Sequence, residues 1–138
     1  MSGFLLDTHV WVWAQMGNTR ASPASFFSDV ETWQRQKAVY ISAISVLELA
    51  RLVTDGALNL GTSIDRFVED ATRNGGFQLL ALNVSILIES VRLPGNIHRD
   101  PSDRLIVATA REHNLTLITA DREILAYAAR GHLNARKP

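Results

Sequence analysis

Short apolar runs punctuate this chain, and between them apolar residues recur every three or four positions. The runs fall at 4–6 ("FLL"), 38–42 ("AVYIS"), 78–82 and 115–119 ("LTLIT"). They lack the polar alternation of a half-exposed strand, so they predict strands covered on both faces. The intervening segments predict helices. One follows at about 8–16. A second is capped by Ser22 with Pro23 in its first position, where a missing amide hydrogen costs nothing. It carries Phe26, Val30, Trp33 and the aliphatic stem of Lys37 on one face. "SVLELARLVTDG" predicts a third helix, with Ser45 and Glu48 at capping-box spacing and Gly56 as its stop. Thr62 or Ser63 starts the next, with Ile64, Phe67, Val68 and Ala71 aligned. Asn83 caps a short helix carrying Val84, Leu87, Ile88 and Val91. Ser102 opens a helix reaching about His113, and Asp121 opens the last one.

Strands alternating with helices indicate an α/β fold with a mostly parallel sheet covered on both faces. Right-handed crossovers then align the strand C-termini along one edge, outside which ligands bind. Acids gather at that edge. Asp7 directly follows the first strand, Glu48 lies in the helix after the second, Asp121 follows the fourth, and Asp103 starts a helix packing back toward the same place. Each acid has an ordinary role of its own as a helix cap, a capping-box partner or a first-turn charge. Gathered together they repel one another unless a cation sits among them.

Composition narrows the chemistry. The chain has 138 residues and no cysteine, which excludes disulfides and thiolate metal sites. An oxygen-rich ligand set suits a hard ion, Mg²⁺ or Mn²⁺, which promotes hydrolysis of a phosphate ester. His9 and His98 are expected to be surface or core histidines rather than ligands. Thr8 and Thr119 are placed to orient carboxylates by hydrogen bonding. Zero formal net charge argues against nucleic-acid binding by bulk electrostatics but allows a local basic rim, for which Arg99, Arg104, Arg20, Arg51 and Arg73 are candidates. Of Trp11, Trp13 and Trp33, at least two are expected in the core and one is free for an interface. No signal peptide or membrane-length apolar run is visible, so the expected location is the cytoplasm. A single domain is expected over 1–138, with a frayed tail at 134–138.

Four stretches in this order resemble a known family: "FLLDTHVWVWA", "ISAISVLELA", "HRDPSDRLIVATA" and "LTLITADREI". They are similar to the acidic motifs of PIN-domain endoribonucleases, in particular the VapC type of toxin. The resemblance runs from about Phe4 to Tyr127. It implies a three-layer α/β/α sandwich and Mg²⁺- or Mn²⁺-dependent RNA cleavage leaving 5′-phosphate and 3′-hydroxyl ends. It also implies a homodimer and a cognate VapB-like antitoxin. The metal-site acids carry over to Asp7, Glu48, Asp103 and Asp121, with Asp100 as an accessory acid and Thr119 as the nearby hydroxyl. Two departures stand out: Ser102 replaces a common aromatic, and "RGHLNARKP" is poor in the apolar residues of a final strand.

The competing folds fail on residues. A haloacid-dehalogenase-like phosphatase needs an acid at position 9, where this chain has histidine. A receiver domain needs a late lysine, and none lies between Lys37 and Lys137. No glycine-rich turn follows a strand, as a nucleotide-binding fold would require. The remaining alternative to an enzyme is a catalytically silent PIN-like module that binds RNA or a protein partner.

Overall fold

The computed structural model describes residues 3–138. Five strands, β1 (Phe4–Leu6), β2 (Val39–Ser42), β3 (Phe77–Leu80), β4 (Thr116–Ile118) and β5 (Ala135–Arg136), form one sheet in the order β3-β2-β1-β4-β5. Every neighbouring pair runs parallel. The helices are α1 (Thr8–Met16), α2 (Ala24–Arg35), α3 (Ala43–Thr54), α4 (Ile64–Glu69) with a π-helical continuation Asp70–Asn74, α5 (Val84–Arg92), α6 (Pro101–Glu112) and α7 (Arg122–Ala129).

The central strands show why their sequences lack polar alternation. Side chains alternate between faces, and both faces are dry. Leu6, Val39, Ile41 and Ile118 enter a core with Val10, Trp11, Phe26 and Phe67 from α1, α2 and α4. Leu5 and Leu117 point the other way, into a core with Ile106, Ile124 and Tyr127 from α6 and α7. The result is the α/β/α sandwich expected from sequence. Parallel pairing of β1 with β2 and β4 brings Asp7, the α3 N-terminus and Thr119 to one sheet edge. Asp7 N donates to Ile118 O at 3.0 Å, so the first acid is fixed to the end of β4 by the backbone.

Several local expectations are corrected. The N-cap of α2 is Pro23, with no side-chain cap, and Ser22 is buried beside it. Lys37 lies beyond α2 at φ 54° and so is off its face. Ser42 caps α3, accepting from Ile44 N, which leaves Ser45 and Glu48 outside any capping box. β3 starts at Phe77 and ends at Leu80, earlier than 78–82. Asp100 rather than Ser102 caps α6, with Pro101 in its first turn. The C-terminal residues expected to fray form β5, whose backbone is taken up by β4: Leu117 N donates to Asn134 O and Thr119 N to Arg136 O. Few apolar side chains are needed there, because the main chain supplies the pairing.

The four apolar residues read on α5, Val84, Leu87, Ile88 and Val91, face solvent at 71%, 46%, 43% and 75% exposure, while Ile86 and Ser90 turn inward. Trp11 and Trp33 are buried, the latter stacked on Phe4 at 3.8 Å between ring centroids, and Trp13 is half-buried.

Candidate active site

Four helix starts meet at the C-terminal edge of the sheet. Asp7 ends β1 in an extended conformation and caps α1, its Oδ1 accepting from Thr8 N at 2.9 Å. Its other oxygen accepts from Thr119 Oγ1 at 2.7 Å, and that hydroxyl oxygen accepts from Asp121 N at 3.0 Å. The side chain of Thr119 therefore joins the first and last acidic stretches across 112 residues. It is fully buried and fully partnered.

Glu48 is held by a parallel device. Thr8 Oγ1 lies 2.7 Å from Glu48 Oε1 and 2.8 Å from Ser45 Oγ. A hydroxyl has one proton, and the carboxylate can only accept. Thr8 thus donates to Glu48 and Ser45 donates to Thr8. Ser45 was read from sequence as a cap. Its role in orienting Glu48 depends on a contact 37 residues away, for which the sequence offers no local signal.

The remaining acids sit on α6 and α7. Asp121 Oδ1 accepts from Glu123 N and Ile124 N at 2.8 and 3.0 Å, capping α7. Asp100 Oδ1 accepts from Ser102 N at 2.9 Å and Asp103 N at 3.3 Å, capping α6. Asp103 projects from the first turn of α6. His98 enters the same cluster: its Nε2 is 3.2 Å from Asp103 Oδ2, 3.7 Å from Glu123 Oε2 and 4.0 Å from Asp121 Oδ1. Sequence alone offers no sign that this ring nitrogen stands among three acids.

The electrostatics bear out the crowding. Burial raises the Asp7 carboxyl above its ordinary value, against the lowering effect of the Thr119 and Thr8 hydrogen bonds. Burial also raises Glu48, with Asp7 and Asp100 adding to the rise. Asp103 is pushed up to about 7, first by burial and then by the charges of Asp7 and Asp100, with His98 opposing. Carboxyls that hold protons this strongly mark a place that lacks positive charge. The donor set is four carboxylates and one imidazole, of which the Asp103 carboxylate and His98 Nε2 take no hydrogen bond among the described residues, and it fits a divalent cation.

A PIN domain family model matches residues 4–130. The chain belongs to the PIN domain family. The PIN match takes in all four acids and most of both cores, leaving out Leu133. Ribonuclease VapC22 of Mycobacterium tuberculosis is 29% identical over 127 residues, covering 92% of this chain and 93% of that protein. Among solved structures, VapBC2 from Rickettsia felis bound to a promoter DNA fragment aligns with a TM-score of 0.68 at 18% identity, over 97% of each chain. FitAcB from Neisseria gonorrhoeae aligns at 0.64 and 22%, over 98% of this chain and 97% of that one.

Not every basic candidate faces this PIN site. Arg104 donates from Nε to Ser90 O at 2.8 Å and from a terminal nitrogen to Ile97 O at 3.5 Å, which makes it a strut between α5 and the loop before α6. Arg73 pairs with Glu69 in the segment leading into β3, at the opposite sheet edge. Arg20, Arg51 and Arg99 are exposed, and of these Arg99 adjoins Asp100 directly. Beside the acids, a groove of ≈ 420 Å³ runs between α1 and α3, lined by His9, Val12, Trp13, Met16, Leu52 and Leu58. Among the described residues no helix is long and apolar enough to cross a membrane.

Proposed function

We propose that this PIN domain is a divalent-metal-dependent endoribonuclease that acts as the toxin of a toxin–antitoxin pair. The observation that carries this is the meeting of Asp7, Glu48, Asp103 and Asp121 at one sheet edge, with three of their carboxyls raised by burial and mutual repulsion. A hard divalent ion, Mg²⁺ or Mn²⁺, would supply positive charge there against the negative charge that builds on a phosphodiester under attack, and would acidify nearby water. Asp7, Asp103 and Asp121 would hold the ion, and Glu48, aimed by Thr8, would orient the attacking water. Asp100 adds negative potential without surrendering its capping bonds. In-line attack on phosphorus expels the 3′ oxygen, leaving 5′-phosphate and 3′-hydroxyl ends. Arg99, Arg51 and Arg20 supply phosphate contacts at the rim.

The partners follow from surface character. The VapBC and FitAcB neighbours suggest an antitoxin, and the apolar α1–α3 groove beside the acids suits an amphipathic segment of it, with Trp13 as an anchor. The exposed apolar row of α5 suits a homodimer. A toxin of cellular RNA works in the cytoplasm.

The test is cleavage of total RNA with Mg²⁺, with Mn²⁺ and with excess chelator, followed by end mapping. Cleavage that needs a divalent ion and leaves 5′-phosphates supports the proposal. Cleavage unaffected by chelator, or ending in 2′,3′-cyclic phosphates, rejects it.

A further inference from the structure

The acidic site is not chemically uniform. Asp7 and Glu48 present oxygen alone, each steadied by a threonine hydroxyl. The other half contains a nitrogen. His98 Nε2, one oxygen of Asp103 and one of Asp121 all lie within 4.8 Å of one another. An octahedral ion with ligands at about 2.1 Å places neighbouring donors about 3 Å apart and opposite donors about 4.2 Å apart. The measured 3.2 Å to Asp103 and 4.0 Å to Asp121 fall in that window.

The nitrogen itself is the second observation. His98 Nε2 is buried and makes no hydrogen bond among the described residues, although three carboxylates surround it. Asp103 Oδ2, at 3.2 Å, lies outside hydrogen-bonding geometry. An unpaired buried ring nitrogen aimed among acids is costly unless a ligand completes it. The loop that carries it is held from three sides. Tyr127 Oη donates to Pro94 O at 2.6 Å, Arg130 donates to Asn96 O, and Arg104 reaches Ile97 O. His98 is therefore delivered to the cluster by a clamped backbone rather than left there by a mobile loop.

We infer that His98 is a metal ligand, which makes the Asp103–Asp121 half of the site a mixed nitrogen–oxygen centre that selects Mn²⁺ or another transition ion over Mg²⁺. An imidazole donor adds little for Mg²⁺, which favours oxygen, and more for ions later in the first-row series. The inference rests on the metal-dependent reading above and sharpens which ion that site prefers.

The experiment loads the chelator-treated protein with Mn²⁺ alone and records pulsed electron paramagnetic resonance for ¹⁴N coupling to the bound ion. Mn²⁺ and Mg²⁺ dissociation constants are measured in parallel for the unaltered chain, for His98→Ala and for His9→Ala, the last because His9 is the other imidazole near these acids. The expected result is nitrogen coupling that survives His9→Ala and vanishes in His98→Ala. Mn²⁺ affinity should fall at least about tenfold in His98→Ala, with a much smaller change for Mg²⁺. Bound Mn²⁺ without nitrogen coupling in the unaltered chain overturns the inference while leaving the nuclease reading intact, and this needs no variant to fold. Mn²⁺ binding that is unchanged or tighter in His98→Ala also overturns it, since that is how a mere counter-charge to the acids would behave. A chain that binds neither ion removes both this inference and the metal-dependent reading.

Discussion

The two halves of the site hold their acids by different physics. In the α1–α3 half, hydroxyls from distant segments reach both acids: Thr119 reaches Asp7, which also caps α1 through the single amide of Thr8, while Thr8, backed by Ser45, reaches Glu48. In the α6–α7 half, Asp100 and Asp121 are fixed by the free amides of the helices they begin, and Asp103 sits in a first turn. Hydroxyls hold a carboxylate by one directed bond each, whereas helix ends hold it by two amides and a favourable dipole. The first half therefore depends on tertiary packing for its geometry, and the second carries much of its geometry in local sequence. Asp103 is the exception within its half. Among the described residues no hydrogen bond to its carboxylate offsets its burial, and it is pushed up to about 7.

This contrast can be broken most sharply at the acids themselves. Asp7→Asn and Asp103→Asn should each reduce RNA cleavage by at least about a hundredfold. Circular dichroism should stay unchanged, because asparagine still accepts the cap at position 7. Full cleavage by a folded Asp103→Asn protein would reject the site assignment. Thr8→Val should lower RNA cleavage about ten- to a hundredfold, acting only through Glu48. Ser45→Ala should lower cleavage less, and Ser45→Thr should restore it. Cleavage by all three proteins equal to that of the unaltered chain would show that the hydroxyl chain does not aim Glu48.

The raised Asp103 carboxyl yields a pH dependence. In the metal-free protein this group keeps its proton to about pH 7, against an ordinary 3.8. Between those values the folded chain holds a proton that the unfolded chain releases, so stability should fall as pH rises through that window and level off above it. Asp103→Asn should flatten the slope in urea titrations run across pH 4–8. An unchanged slope would show that Asp103 does not titrate in this way.

Smaller effects test the periphery. Arg104→Ala should lower unfolding free energy by about 1–3 kcal/mol, since it leaves the Ser90 carbonyl without its charged donor. Its RNA affinity at low salt should match that of the unaltered chain, whereas Arg99→Ala should weaken binding. Val91→Glu should change monomer stability by less than about 0.5 kcal/mol, yet abolish any dimer seen by light scattering, if α5 is the contact.

The fold was legible wherever a signal was local. The strand at 4–6, the α1 range and the caps Asn83 and Asp121 follow from apolar runs and short-range chemistry, and the structure places them there. α5 shows where such signals stop. Periodicity correctly marks Val84, Leu87, Ile88 and Val91 as one face of a helix, but it cannot say whether that face meets this chain's core or another surface. The four acids were legible as a set because the parallel topology gathers strand ends. The Ser45–Thr8–Glu48 chain and the place of His98 were not, because both depend on contacts between segments far apart in sequence.

Asp7, Asp100 and Asp121 each begin a helix while standing at the acidic edge. A routine alanine scan would therefore mix two losses, an unravelled first turn and a missing negative charge, and would exaggerate the contribution of each position to turnover. Amide replacements separate the two. The same asymmetry sets an evolutionary path: a copy of this protein drifting toward inactivity can exchange these acids for asparagine and keep its shape, so silent descendants should carry amides at the helix starts long before they carry alanines.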